Sequence, residues 1–455
     1  MSPNEQDNRI KCDKIHLSPC FGFEVHFSGW SDWIILLLFH HYYQAGCIIV
    51  SSFPTMIPAI RAAYNQAFTD ENYQKFLNFL NTKYDYEIEF RIAETPAFIP
   101  NALANRIFEA CEEIISVLQR PDYKQLTSRS IPEGKNVQGE DDHAQFLAID
   151  FAICEDDNGE LTPQLIEMQG FPSLFAFQDM ISQAYQNFFE IPKNLEYLFS
   201  GLDSASYRTL LEKVITNGHP PENVILMDVE PHLQKTRIDF YCVTDFFGVP
   251  SVCISDVKVR GRKLFYEKEG RDFEIKRIYN RVIFDELDRR TDLKLEFDMT
   301  NDVDVEWAGH PNWFFRISKF AMPLVKSKYV PETKYLSEYN GNYPADLENY
   351  VLKPLFSFAG AGVIYDVKPE DVQSIKDTDN FILQKKIYYA PAVKIPDGEG
   401  IKTEIRMLYL WPEDAERPVA CTNLIRFSKG VMMGVKFNKN KTWVGGATAY
   451  FEPST

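Results

Sequence analysis

Two stretches of this chain are apolar enough to be buried strands, yet both carry a carboxylate. Phe146–Ile153 reads FLAIDFAI and Gln164–Gln169 reads QLIEMQ, separated by a Glu-Asp-Asp-Asn-Gly turn at residues 155–159. Short apolar runs joined by such a turn predict a β-hairpin. Asp150 lies inside the first strand, and Glu167 and Gln169 lie on the second, two residues apart and so on one face. A carboxylate inside an apolar strand is costly unless a cation, an arginine or a lysine meets it. Oxygen donors from Asp, Glu and an amide also suit a magnesium ion whose octahedron is completed by phosphates. The alternative is a solvated sheet edge with ordinary surface carboxylates. Any fold for this chain has to bring positive charge or water to that hairpin.

A source of positive charge stands further along. Tyr350–Gly362 reads YVLKPLFSFAGAG, an apolar run that delivers Lys353-Pro354 into a loop holding Gly360 and Gly362. An ammonium neutralises phosphate charge, and glycines let backbone N–H groups approach closely, so the stretch suits a nucleotide-phosphate cradle. It lacks the spacing of a Walker loop or a dinucleotide fingerprint.

The intervening chain reads as an alternation of helices and strands. Glu71–Leu80 and Asn101–Leu118 have apolar residues at helical spacing, the second with Leu103, Ile107, Ala110, Ile114 and Leu118 on one stripe. Glu87–Ile92 alternates and predicts a strand. Asn223–Val229, Thr236–Phe247 and Ser251–Ile254 give strand, helix and strand, the pattern of a small α/β unit with a parallel sheet. A charged hairpin around Gly270 leads into Tyr279-Asn280-Arg281. Phe315–Leu324 reads as a helix bearing Lys319, Phe381–Ile387 as a strand bearing Gln384, Lys385 and Lys386, and Thr403–Leu410 as a strand with Glu404 and Arg406 on one face. Asn423–Phe427 carries Arg426, Val431–Phe437 is a further strand candidate, and Gly445-Gly446 marks a glycine-bearing tail.

At 455 residues the chain has room for two or three domains, and a formal net charge of −17 argues against non-specific binding to nucleic acid or anionic membranes. Eight cysteines without a CxxC pair suit a reducing cytosol. The first 55 residues differ in texture, holding three of the eight cysteines and four of the eight histidines. Their apolar part, Trp33–Phe39, is short of the ~20 residues a membrane span needs and is interrupted by His40-His41. The expectation is an atypical leader, with the working protein starting near Met56.

The order of parts resembles the circularly permuted ATP-grasp family, as in eukaryotic-type glutathione synthetase and glutathionylspermidine synthetase. The elements that carry the resemblance are Asp150 with Leu165-Ile166-Glu167-Met168-Gln169, then Ile317-Ser318-Lys319 and Val351-Leu352-Lys353-Pro354, then Leu424-Ile425-Arg426 with Gly445-Gly446-Ala447. Gln169 stands where the family has Asn, Ala148 where an arginine usually sits, and no acid closely follows Lys353-Pro354.

The resemblance implies an α/β (α+β) fold of permuted ATP-grasp type with a small α/β substrate domain. Residues 56–215 would hold the metal hairpin, 216–300 the substrate domain, and 301–455 the ATP-binding subdomains with a glycine-loop lid. It implies an ADP-forming carboxylate–amine ligase using ATP and Mg2+, with small-molecule carboxylate and amine substrates of peptide, amino-acid or polyamine type. Asp150, Glu167 and Gln169 would hold magnesium. Lys319, Lys353, Gly360, Gly362, Gln384, Lys385, Lys386, Gly445 and Gly446 would surround ATP, and Arg406, Arg426 and Arg281 would serve the substrate or the transferred phosphoryl group. The competing readings are a non-catalytic ATP-binding or regulatory protein, suggested by the two missing charges, and a small-molecule kinase.

Overall fold

The hairpin is present, and it lies within the largest sheet of the molecule. The computed structural model describes residues 56–356, 362–430, 433 and 438–453. The leader expectation, Gly360 and all but one residue of Val431–Phe437 fall outside the described residues. Strand β1 (Phe146–Glu155) pairs antiparallel with β2 (Leu161–Gln169), placing Asp150 opposite Glu167. Strand β3 (Tyr350–Pro354) pairs antiparallel with β4 (Phe381–Lys385), and the short Thr333–Tyr335 completes a separate three-stranded sheet on the far side of β4. Then β5 (Gly400–Leu410), β6 (Val419–Ser428) and β7 (Gly445–Ala447) return to the hairpin, giving the spatial order β7-β6-β5-β1-β2.

Burial explains why these strands are so apolar. Nine of the ten residues of β1 are buried, as are nine of the eleven of β5, so both faces are covered over much of their length. Helix α1 (Asn101–Leu118) packs on β2, and its predicted stripe from Leu103 to Leu118 is buried throughout. Helix α2 (Phe175–Phe188) packs against β6, its first eight residues all buried.

The α/β unit is also as read. Val224–Asp228 pairs in parallel with Ser251–Cys253 on one side and Arg277–Asn280 on the other, with Glu306–Ala308 outermost. Helix α3 (Arg237–Phe247) is the crossover between the first two of these strands and ends at Gly248, whose φ of +70° suits a helix stop. The sheet and its hairpin neighbours enclose a second buried cluster, and the β3–β4 sheet encloses a third around Leu336, Leu352 and Leu383.

Two expectations fail for identifiable reasons. Glu87–Ile92 alternates in burial but forms no strand; only Ile92 makes a bridge, to Gly446. The stretch runs beside β7, where the Arg91 carbonyl accepts from the Gly446 N–H and Ala93 donates to the Gly446 carbonyl. Phe315–Leu324 is not one helix. Pro311–Arg316 ends, Ser318 caps a new 3-10 turn by accepting from Phe320 N–H, and Lys319–Leu324 follows with Pro323 inside it. Lys319 is therefore at the start of a tight turn rather than on a helix face.

Candidate functional site

Strand register builds the site. Arg406 on β5 lies directly opposite Asp150 on β1, and Glu404 on β5 directly opposite Arg426 on β6. Glu404 and Arg406 are two apart and share a face, so a row of charges, Arg426, Glu404, Arg406, Asp150 and Glu167, crosses the middle of the sheet. Arg406 grips Asp150 with two hydrogen bonds, Nε to Oδ1 at 2.6 Å and Nη2 to Oδ2 at 2.6 Å, the bidentate geometry a planar guanidinium favours. Arg426 also donates to Asp150 Oδ2, at 3.0 Å, and sits 2.8 Å from Glu404. Arg406, although it shares a strand face with Glu404, thus pairs with Asp150, and the arginine on Glu404 is Arg426.

Glu404 is 5% exposed and receives the Tyr389 hydroxyl as well. Burial pushes its carboxyl above the ordinary value, and Arg426 opposes that shift. Burial works against the charge of Arg426, yet Glu404, Asp150 and Glu167 together hold its guanidinium above its usual range. The row opens to solvent at Glu167 and Arg426, whose side chains are 30% and 38% exposed.

Two lysines stand beside this hairpin, one on the other sheet and one on the 3-10 turn. Lys353 on β3 donates from Nζ to Gln384 Oε1 at 2.5 Å, a diagonal cross-strand contact with β4, and to the Ile166 carbonyl at 3.5 Å. Gln384 is itself steadied by donating to Thr333 Oγ1 at 3.1 Å. Burial lowers the Lys353 ammonium to about 8, with Glu167 pulling it up and Lys319 pushing it further down. Lys319 donates to the Pro354 carbonyl at 3.4 Å, and burial lowers it too, against the pull of Glu167. Both ammonium groups therefore sense the same carboxylate.

The remaining expected residues are distributed around this centre. Gln169 donates to Glu167 Oε1 at 2.8 Å. Gly362 adopts φ +71°, and a Cβ there would come within 3.1 Å of Pro354. Lys386 lies 3.2 Å from Asp366 and over the Tyr365 ring at 4.2 Å, while Lys385 is exposed. Gly446 lies directly opposite Arg426 on β6, and Gly445 passes so close to Arg91 that a Cβ would meet its carbonyl at 2.4 Å.

Arg281 stands apart, at the end of the parallel sheet. It is 8% exposed, its guanidinium carbon is 5.1 Å from the centre of the Phe171 ring, and its Nε and Nη1 have no hydrogen-bond partner. Burial raises both neighbouring carboxyls, Asp228 to about 7, with Arg281 opposing each shift. Three participants escaped sequence reading: Glu404 as an arginine anchor, Tyr389, and Ser173, whose hydroxyl accepts from Arg406 Nη1 at 3.3 Å. The Tyr388-Tyr389 pair just past the Gln-Lys-Lys strand was an available signal; Ser173 had none.

No protein-family model matches the chain, and no curated protein matches it by sequence. Among solved structures, a glutathione synthetase-like effector from Globodera pallida, in its apo form, matches with a TM-score of 0.53 at 10% identity, over 87% of this chain and 99% of that one. The fold is glutathione synthetase-like. At that identity the likeness is one of fold. Within this glutathione synthetase-like fold, the charged row lies where β1, β2, β5 and β6 run together, beside the edge of the β3–β4 sheet. No described helix is long and apolar enough to cross a membrane.

The donor set also bears on magnesium. Among the described residues no cluster of three or more His, Cys, Asp or Glu side chains could hold a metal ion. Both Asp150 oxygens are engaged by arginines, which leaves Glu167 and the Gln169 amide as the open oxygen donors. Such a pair is too small for a resident metal. It fits a magnesium ion that arrives with phosphates and keeps several waters.

Proposed function

We propose that this protein is an ATP- and magnesium-dependent carboxylate–amine ligase that releases ADP. The observation that carries the reading is the meeting of two lysines beside β2: Lys353 Nζ lies 3.5 Å from the Ile166 carbonyl, next to Glu167, and Lys319 Nζ 3.4 Å from the Pro354 carbonyl, next to Lys353. Phosphoryl transfer asks a protein for positioning and charge neutralisation more than for covalent help. Four cations beside three carboxylates, all but Lys319 carried on strands, would supply a cradle for a polyanion. Lys319 and Lys353 would contact the phosphates, with Gln384 holding Lys353 in place. Glu167 and Gln169 would hold magnesium, which bridges and neutralises phosphate oxygens when bound. Asp150 would orient Arg406 and Arg426 toward the transferred phosphoryl group or the substrate carboxylate. Arg281, with two unpartnered buried N–H groups, would take a substrate carboxylate at the end of the parallel sheet.

In this reading the substrate carboxylate attacks the γ-phosphorus, ADP leaves, and an amine displaces phosphate from the acyl phosphate. The experiment is ADP release with panels of amino acids, small peptides and polyamines, alongside thermal stabilisation by Mg-ATP. Turnover with an acid–amine pair supports a ligase. Lys353→Ala is expected to abolish the thermal shift, and an unchanged shift would sink the assignment.

One observation favours a second reading, an ATP-binding protein without turnover. Asp150 is fully committed to arginines, and no acid closely follows Lys353-Pro354 to complete the metal shell. Stabilisation by Mg-ATP with no ADP release across the whole panel would decide for it.

A further inference from the structure

The chain leaving β4 ties the two sheets of the site together. Gln384 on β4 holds Lys353, and five residues later Tyr389 gives its hydroxyl to Glu404 on β5. Between them the chain changes sheets. Lys386 still donates to the carbonyl of Asn349, the residue before β3, at 2.8 Å. Tyr389 then forms a β-bridge with Cys154 of β1, and Ala390 donates to the Ile153 carbonyl at 2.9 Å. Val393 pairs next with Ile401, at the start of β5. The backbone on both sides of the Tyr389 ring is thus fixed to the main sheet, and its hydroxyl meets Glu404 from there.

Glu404 is the anchor that decides where Arg426 stands. Its two oxygens are divided: Oε1 accepts from Tyr389, and Oε2 lies 2.8 Å from Arg426 Nη2. The same nitrogen donates to Asp150 Oδ2 at 3.0 Å, an oxygen that Arg406 already takes at 2.6 Å. The Glu404 contact is the shorter, and it is not shared with Arg406. A carboxylate that is 5% exposed keeps its charge only while its oxygens are partnered. The Tyr389 hydroxyl therefore supports the anion that holds the arginine. Of the two arginines on the row, the Arg406 side chain is 10% exposed and that of Arg426 38%. Arg426 is the one an incoming anion meets, and the one whose direction can be lost. We propose that Tyr389 is a positioning residue of the cradle: acting through Glu404, it aims Arg426 at the terminal phosphate of a nucleotide held by Lys353. This role rests on the nucleotide reading above and makes Tyr389 a determinant of triphosphate over diphosphate binding.

The test compares the wild type with Tyr389→Phe, which keeps the ring and removes only the hydroxyl, and with Glu404→Gln, which keeps the shape of the anchor and removes its charge. By titration calorimetry on the full chain, Tyr389→Phe should weaken Mg-ATP about ten-fold, the scale of a lost hydrogen bond to a charged group. Mg-ADP, which lacks the terminal phosphate, should stay within about two-fold of the wild type. In an Arg426→Met background, Tyr389→Phe should cost Mg-ATP nothing further, because a residue that acts through Arg426 has no effect once Arg426 is gone. With no nucleotide present, NMR of isotope-labelled arginine should show the Arg426 guanidinium hindered in the wild type and rotating freely in Tyr389→Phe, with Arg406 hindered in both. A merely structural role for Tyr389 would not produce that split, and Glu404→Gln should reproduce it. Unchanged rotation of Arg426 in Tyr389→Phe would overturn the proposal. Equal weakening of both nucleotides, or a further loss in the Arg426→Met background, would do the same. Failure of the wild type to bind either nucleotide would sink the ligase reading, and the rotation measurement would still decide whether Tyr389 holds Arg426.

Discussion

Asp150 holds two guanidinium groups at once, and removing it would leave both with one fewer counter-charge in a largely desolvated sheet. Asp150→Ala is expected to destabilise the fold by about 3–5 kcal/mol, read from the urea midpoint, because breaking a buried pair strands its partner. Lys353 offers a pH-dependent signature. Its folded value of about 8 lies below the ordinary 10.5, so the unfolded chain holds that proton more tightly between those two values. The contribution of this group to stability therefore rises with pH across that window, and below about pH 8 its full penalty is present. Bound phosphates favour the charged form, so Mg-ATP binding near pH 8 should take up protons. Calorimetry in two buffers of different ionisation enthalpy would show that uptake, and Lys353→Met should remove it. At this scale the sequence exposed the need for a counter-charge on Asp150, through an aspartate inside FLAIDFAI. It could not tell which arginine met it, since 256 residues separate Asp150 from Arg406.

At the scale of elements, the chain's local patterns were reliable where an element buries one consistent face. Helix α1 shows its stripe in the sequence because 3.6-residue periodicity survives in any tertiary setting. The stretch at Glu87–Ile92 has strand periodicity without a strand, because alternation reports burial and says nothing of whether a neighbour completes the ladder. Its actual neighbour is β7, and this contact makes a contrasting pair of predictions. Gly445 has φ +121°, and a Cβ there would meet the Arg91 carbonyl at 2.4 Å, whereas a Cβ at Gly446 meets nothing nearer than 3.9 Å. Gly445→Ala should cost roughly 2–4 kcal/mol and Gly446→Ala much less, measured by thermal or urea unfolding. The helix Ser204–Thr216 was not read from the sequence, although Asp203 and Ser206 make a capping box at its start. Asp203→Ala should cost about 1 kcal/mol by the same measurement.

Across the whole molecule, the separation of buried clusters predicts how stability is divided. Leu352 is fully buried in the cluster of the β3–β4 sheet, whereas Ile405 is fully buried in the main core. Either substitution by alanine should cost about 2–5 kcal/mol locally. In Leu352→Ala, amide exchange should quicken in Thr333–Tyr335, β3 and β4 while β1 and β5 stay protected. In Ile405→Ala the loss should reach β1, β5 and β6 together. Since Lys353 lies on β3 and Glu167 on β2, the first variant would also loosen the grip of one sheet on the other across the cradle.

The sequence by itself determined the two hairpin strands, helices α1 and α3, the parallel α/β unit and the requirement for positive charge at the hairpin. Each of these follows from local periodicity or from the cost of burying a single charge. Only the tertiary structure decided that β5, β6 and β7 insert beside a hairpin 250 residues earlier, and that Arg406 and Arg426 share Asp150. It also decided that Lys353 reaches the Ile166 carbonyl beside Glu167, and Lys319 the Pro354 carbonyl beside Lys353. Those outcomes depend on strand order and register, and a register slip of one residue in its strand would have turned Asp150, Arg406, Arg426 or Lys353 to the opposite face.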